Sequence, residues 1–399
     1  MKGEIYIAGV GAITSIGNSV EEILRAAAQE NNGVGDITFL STRYRNAIPV
    51  AEVKLSNPEL AERAGVPGDI GRSVLLSLVA AKEALADAAI DDVTAFRTGF
   101  VSSNTVGRMD HTDEFFSAFL RDQRKGRLRH VYDHECGGVT QAVADHLGIK
   151  DFVTTINTAC SSSANAIIYG ARLIRNKVVD VVVAGGTDAL TKYTLNGFVT
   201  LMLADKDPCK PFDQHRAGLN LGEGAGYVVM VSERVLAKLD KSPYCRLSGY
   251  NNSNDAFHHT ASSTDGAGAY LAMQKALAKA GLEPSRIDYV NLHGTGTENN
   301  DSTEGAALIR LFGADCPPIS STKSFTGHTL GAAGGIEAVL SVLAIRDGVI
   351  FPNLRFQTQM TDVPLAPVKH FLAGKTIRHV MSNSFGFGGN CTSLIFSKA

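Results

Sequence analysis

With 399 residues the chain has room for two domains, or for one large domain built of two related halves. A formal net charge of −2 and a pI near 6.6 leave no overall field to hold nucleic acid or a membrane surface. Cys136, Cys160, Cys209, Cys245, Cys316 and Cys391 lie far apart, with no CxxC pair and no framework spacing; this predicts a reduced, cytoplasmic protein, and no apolar run approaches membrane-spanning length.

Met1 to Val10 carries one Lys and a short apolar run, which predicts a first strand over Glu4 to Ala8 rather than a signal peptide. Gly9-Val10-Gly11-Ala12-Ile13-Thr14 half-matches a dinucleotide fingerprint. Thr14 stands where the third glycine belongs, and no acidic residue closes a second strand about 20 residues later, which argues against a Rossmann site. A helix is predicted over Val20 to Gln29. A second, strongly periodic one spans Arg72 to Ala89 with Val74, Leu75, Leu78, Val79 and Leu85 on its apolar face, and a buried strand follows over Thr98 to Ser102. Residues 107–137 are polar and carry Arg121, Arg124, Lys125, Arg127 and Arg129, which fits either a solvated helix face or a landing patch for an acidic partner. His130, Asp133, His134 and Cys136 have part of a metal-ligand spacing, but no second cluster completes a tetrahedral set, so no metal is assigned.

Phe152 to Ile156 reads as a strand running into Asn157-Thr158-Ala159-Cys160. Ser161-Ser162-Ser163-Ala164 then opens a helix of very small residues that closes on Ile167, Ile168, Leu173 and Ile174. Unpaired N–H groups and the dipole at such a helix start favour an anion, so the Cys160 thiol is expected to have a lowered pKa and to serve as a nucleophile. A small buried cysteine is the competing reading. Val178 to Ala184 is an aliphatic strand of the kind buried on both faces, and a glycine-rich loop over 211–226 leads into a strand at Tyr227 to Val231.

From there the pattern starts again: strand over Arg246 to Tyr250, helix over Ala269 to Ala280, strand over Ile287 to Leu292, helix over Thr303 to Phe312. Gly222-Glu223-Gly224-Ala225-Gly226 with its strand is echoed by Gly386-Phe387-Gly388-Gly389-Asn390 with the strand after it. The strand and helix around Cys160 are echoed by Ile319 to Ser321, Lys323 to His328, and a helix over Thr329 to Ile345. That last helix carries Gly331, Gly334 and Gly335, each costing up to ~1 kcal/mol relative to Ala. Close packing against another backbone would offset this, with the Cys160 helix as the natural partner in a central layer between two sheets. His293 and His328 stand beside glycines at element ends, which leaves space around their rings, whereas the adjacent pair His258-His259 suits no single metal.

Taken together, Asn157-Thr158-Ala159-Cys160-Ser161-Ser162, Lys210-Pro211-Phe212-Asp213 with Arg216 and Gly222 to Gly226, Asn254-Asp255-Ala256-Phe257-His258, His293-Gly294-Thr295-Gly296-Thr297, Lys323 to His328, and Ser382 to Gly389 resemble the β-ketoacyl-ACP synthases. The likeness is to the elongating, two-histidine type and runs nearly the whole length. It implies an α/β fold, a thiolase-like five-layered αβαβα sandwich of two similar halves: residues 1–245 with the nucleophile and a cap at about 107–137, and residues 246–399 with both histidines. It also implies an acyltransferase that joins an enzyme-bound acyl group to malonyl-ACP by decarboxylative Claisen condensation, in fatty acid or polyketide/polyene-type synthesis; the alternative is a catalytic or chain-length partner subunit of a heterodimeric ketosynthase in a specialised pathway.

By the same resemblance Cys160 accepts the acyl group, the backbone N–H groups of Cys160 and Phe387 form an oxyanion hole, and His293 and His328 donate to the enolate. Lys323 fixes that network with Glu337 as its carboxylate partner, and Thr295 and Thr297 hold the phosphopantetheine arm. No cofactor is implied. The partners implied are an acyl carrier protein and a mate in a dimer, either a second copy or a related ketosynthase-like subunit; neither nucleic acid nor a membrane is among them. Four features depart from the family pattern. Asn390-Cys391 replaces the usual Thr-Asn, with Cys391 expected to be a buried residue. Phe212 stands for Trp and Leu219 for Phe, and residues 107–137 align poorly, which puts acyl length in question.

Overall fold

A computed structural model describes residues 3–67, 70–132 and 134–399. Its strands are β1 (Ile5–Ile13), β2 (Thr98–Ser103), β3 (Phe152–Ile156), β4 (Val181–Asp188), β5 (Gly224–Ser232), β6 (Cys245–Asn254), β7 (Tyr289–Asn291), β8 (Ile319–Ser320), β9 (His379–Gly386) and β10 (Asn390–Lys398). The helices that matter for the site are α1 (Arg72–Asp87), α2 (Met109–Arg121), α3 (Cys136–Leu147), α4 (Ser162–Arg175), α5 (Lys192–Thr200), α6 (Ala267–Ala280), α7 (Glu298–Phe312) and α8 (Ala333–Asp347).

The strands form a ten-stranded sheet in the order β3-β2-β4-β5-β1-β6-β10-β9-β7-β8. Numbered within its own half, each set of five has the same order, 3-2-4-5-1. The pairings repeat as well: β3-β2-β4 and β8-β7-β9 are parallel, and the following steps to β5 and β1, or to β10 and β6, are antiparallel. The sequence echo is therefore a structural one. The two sheets expected from it are hydrogen-bonded into one; among the described residues the ladder between them pairs Tyr6 with Arg246 and Ile7 with Cys245.

The two half-sheets enclose α4 and α8. Ala164, Ala166, Ile167 and Ala171 of α4 and Ile336, Val339, Leu340 and Leu343 of α8 share a core with residues of both half-sheets, whereas α1 and α3 cover the first half-sheet outside and α6 and α7 the second. This gives five layers, with the small-residue helices in the middle. A Cβ on Gly334 would stand 2.9 Å from Ala164 Cβ, and one on Gly335 only 2.4 Å from the Gly226 carbonyl oxygen. Gly334 thus meets the Cys160 helix as expected, while Gly335 meets strand β5. Gly335→Val is expected to cost about 3 kcal/mol or more, since backbone rather than a flexible side chain must move; the shift in the urea midpoint measures it.

Gly9-Val10-Gly11 lies inside β1, where Cβ atoms on the two glycines would stand 2.3 and 2.1 Å from Ala84 and Ala80 carbonyl oxygens. These glycines serve sheet–helix packing. Asp133 lies outside the described residues; His134 Nδ1 pairs with Thr112 Oγ1 and His130 Nδ1 faces Glu114, so the two histidines turn to separate partners. Arg124 and Lys125 both face Asp122 in the exposed turn after α2. Among the described residues no helix is long and apolar enough to cross a membrane.

Candidate active site

β3 ends beside Thr158, and the chain turns sharply into α4. Ala159 takes a positive φ of 53°, a strained conformation for a residue with a side chain. The turn is pinned by Thr158 N–H donating to Ser162 Oγ at 2.8 Å and by Ser162 N–H donating to Ala159 O at 3.1 Å. Cys160 sits on it, buried, two residues before α4 begins.

The second half's β9–β10 loop closes over this turn. A Cβ on Gly386 would lie 2.8 Å from Thr158 O and 3.1 Å from Cys160 N, so only glycine lets Phe387 come this near. Asn390 Oδ1 accepts from Ser161 Oγ at 2.8 Å, Asn165 Nδ2 at 2.9 Å and Asn252 Nδ2 at 2.5 Å, tying the Cys160 turn to β6 and β10. The Asn390 departure is thus a joint between the halves. Cys391 points into the core of the second half, where burial raises its thiol to about 12.

Cys160, His293, His328, Thr295, Thr297 and Phe387 all line one cavity of about 470 Å³. The imidazoles of His293 and His328 meet edge to face at 5.3 Å. Burial first, then the nearby Lys323 ammonium, holds both well below the usual histidine range, so both rings are neutral at physiological pH. Thr295 and Thr297 share a hydroxyl hydrogen bond of 2.8 Å.

Lys323 and Glu337 stand behind this wall, both buried. Lys323 Nζ donates to Glu337 Oε1, to the His293 carbonyl at 2.6 Å and to His293 Nδ1 at 3.3 Å. An ammonium only donates, so Nδ1 must accept and the His293 proton sits on Nε2. The Nδ1 of His328 has no hydrogen-bond partner among the described residues. Lys323→Met is expected to cost about 3–5 kcal/mol, because Glu337 would be left buried and unpaired. Lys323→Met with Glu337→Leu is expected to recover most of that stability, without activity; denaturant midpoints and turnover measured together check this.

The expected lowering of the Cys160 pKa does not occur. Burial pushes the thiol up to about 12, outweighing the Lys323 ammonium and the backbone N–H groups of Phe387 and Cys160, while Asp188 adds to the rise. A helix start acts within one turn and through N–H groups; here desolvation is the larger effect.

Three buried carboxyls were missed in the sequence. Glu304 accepts the N–H groups of His293 and Gly294, and Asp301 those of Thr295 and Phe212. Both are in the first turns of α7 and face back onto the His293 loop; an acidic pair at i, i+3 just after the glycine-flanked histidine was the available signal. Asp188, at the end of β4, accepts from Thr105 and from Gly331 N–H at 2.7 Å, and burial raises its carboxyl to about 7.

Two like halves meeting at a buried cysteine define a thiolase-like protein. The Beta-ketoacyl synthase, N-terminal domain, matches residues 2–235, and the Beta-ketoacyl synthase, C-terminal domain, matches residues 244–357. The chain belongs to the β-ketoacyl synthase family. It is 34% identical to a 3-oxoacyl-[acyl-carrier-protein] synthase 2 of Staphylococcus aureus strain N315 over 99% of this chain and 98% of that one. With the protein of that name from Coxiella burnetii the identity is 32%, over 100% and 99%. Among solved structures, the ishigamide ketosynthase/chain length factor is similar with a TM-score of 0.93 and 28% identity over the whole of both chains. A ketosynthase (ApeO) in complex with its chain length factor (ApeC) from Xenorhabdus doucetiae is similar with a TM-score of 0.86 and 31% identity, over 100% of this chain and 98% of that one.

Proposed function

We propose that this protein is a condensing acyltransferase acting on thioesters carried by an acyl carrier protein. The observation that carries this is the cavity in which a buried thiol faces two uncharged imidazoles. In the first step Cys160 Sγ attacks the acyl thioester, the carrier's thiolate leaves with the cysteine's proton, and the acyl group remains on the enzyme. The oxyanion of that step is held by the backbone N–H groups of Cys160 and Phe387. In the second, a malonyl thioester loses CO2, and the enolate oxygen receives the Nε2–H of His293 and a donor from His328. The enolate carbon then attacks the acyl carbonyl, the bond to Cys160 Sγ breaks, and the departing thiolate takes up a proton from water, leaving a 3-oxoacyl thioester on the carrier.

In this reading Lys323 and Glu337 are positioning residues that fix the His293 tautomer, and Thr295 and Thr297 hold the pantetheine arm. The division at residues 245 and 246 separates the half that supplies Cys160 from the half that supplies both histidines. The protein works in the cytoplasm as a dimer; its free cysteines and the exposed Phe116, Leu120, Leu128 and Tyr132 of the 107–137 cap support this. Similarity to ketosynthases solved with chain length factors favours a second form of the reading, in which the mate is a related subunit rather than a second copy.

The test is to offer acyl carriers of graded chain length with malonyl carrier. One CO2 released per 3-oxoacyl carrier formed is the expected stoichiometry. Product formation without CO2 release, or no product at any chain length, would sink the proposal.

A further inference from the structure

Helix α5 stands beside the cavity with two different faces. Its inner face lays Phe198 flat on Phe387, with ring centroids 6.0 Å apart and planes at 16°. Its outer face carries Tyr193, Gly197 and, one step past its end, Leu201, at i, i+4 and i+8. Tyr193 is 63% exposed and Leu201 48%, and beyond its chain neighbours and its own helix backbone nothing lies within 4 Å of where a Gly197 Cβ would be. From Tyr193 to Leu203 there is no charged residue.

The helix ends in a Schellman turn: Met202 N–H donates to Val199 O at 3.0 Å, and Leu203 N–H to Phe198 O at 3.0 Å. Met202 therefore takes a φ of 57°, at the position of that turn where glycine is favoured. It is also 87% exposed, so core packing gives no reason for a long apolar side chain there. Neither the backbone nor the core asks for methionine. Met202 and Cys160 line the same cavity, one exposed and the other buried, so this strained, uncharged segment borders the cavity's mouth.

We propose that Tyr193, Leu201 and Met202 form an apolar rim on which the carrier protein seats while its pantetheine arm reaches Cys160. Docking on this rim rests on removing apolar surface from water, not on the basic residues between Arg121 and Arg129, two of which already face Asp122. The inference rests on the carrier-borne donor proposed above. Its occupant follows from tethering: a thioester on an arm that reaches the thiol through this mouth brings the protein at the arm's other end against the rim.

The experiment compares Cys160 acylation by an acyl carrier and by the same acyl group on N-acetylcysteamine, which bypasses docking. In Leu201→Glu the carrier-to-small-thioester ratio of kcat/KM is expected to fall about tenfold. In Met202→Gly it is expected to fall while Tm rises, since glycine suits the turn; a purely structural methionine would not separate the two. The wild-type ratio is expected to change little with added salt, and Arg124→Glu with Lys125→Glu to leave it near wild type. An unchanged ratio in both rim variants would overturn the inference, as would a fall confined to the charge-reversed variant. A wild-type dimer turned to monomer by Leu201→Glu would assign the rim to a second copy instead. If neither donor acylates the wild type, the proposed function falls and this inference with it; if the small thioester acylates and the rim variants keep the wild-type ratio, only the inference falls.

Discussion

Cys160→Ala is expected to remove acyl transfer altogether, with turnover down at least about 10⁴-fold. Among the described residues no other thiol lines the cavity: Cys391 faces the second-half core, and Cys209 and Cys245 are buried outside its lining. The variant should fold, because Ala fits the turn between Ala159 and Ser161; a far-UV spectrum and Tm close to wild type would establish that the loss is chemical. The raised thiol pKa adds a pH signature. With the thiol near 12, the thiolate fraction climbs about tenfold per pH unit throughout the neutral range. Alkylation of Cys160 by iodoacetamide is therefore expected to speed up steadily from about pH 6 to about pH 9. A plateau near neutrality would mean that the helix start and Lys323 outweigh desolvation after all.

His293→Ala and His328→Ala are expected to slow condensation by about 10²–10³-fold each, the usual effect of losing one oxyanion donor. Acylation of Cys160 should fall by no more than several-fold. His293 is the more constrained of the two, because all three Lys323 donors are used and one of them fixes its tautomer. Both imidazoles are already neutral, so protonating the free enzyme's histidines needs a pH well under 6.5. Sign and window follow: the decarboxylation step should be level across the neutral range and decline only on strong acidification. Single-turnover CO2 release from pre-acylated enzyme measures it; equal losses in acylation and condensation would contradict this division of labour.

Much of the site could be read from residue order because its parts lie at element ends marked by glycine. Gly386, Gly294 and Gly327 each stand where a side chain would clash with the Cys160 turn or take a left-handed φ. The echo between the halves was legible for the same reason, and strand β3 ran over the expected Phe152 to Ile156. Other boundaries drifted. β4 begins at Val181 and runs on through Gly185-Gly186-Thr187-Asp188, because small and polar residues are carried in a strand whose neighbours bury it on both sides. The helix expected from Thr329 starts at Ala333 after a 3-10 turn, since Leu330 takes a positive φ and Asp188 captures the Gly331 N–H.

What was not legible was the balance of long-range effects. The Cys160 pKa depends on burial contributed by both halves, and Asp188, Asp301 and Glu304 acquire their roles only when the loops they hold are brought to them. Asn390 departs from the family pattern by residue type alone, whereas its oxygen lies between Ser161, Asn165 and Asn252. No local pattern contains that information.

On the proposed function, one thiol carries the acyl group between two half-reactions in one cavity. This is tested most directly by isolating enzyme labelled on Cys160 with a carbon-13 acyl group and adding malonyl carrier in a single turnover. Label is expected to leave Cys160 in step with CO2 release and to appear at the 3-oxo carbon of the product. Label that stays on Cys160 while unlabelled product forms, or leaves as the free acid without condensation, would contradict it.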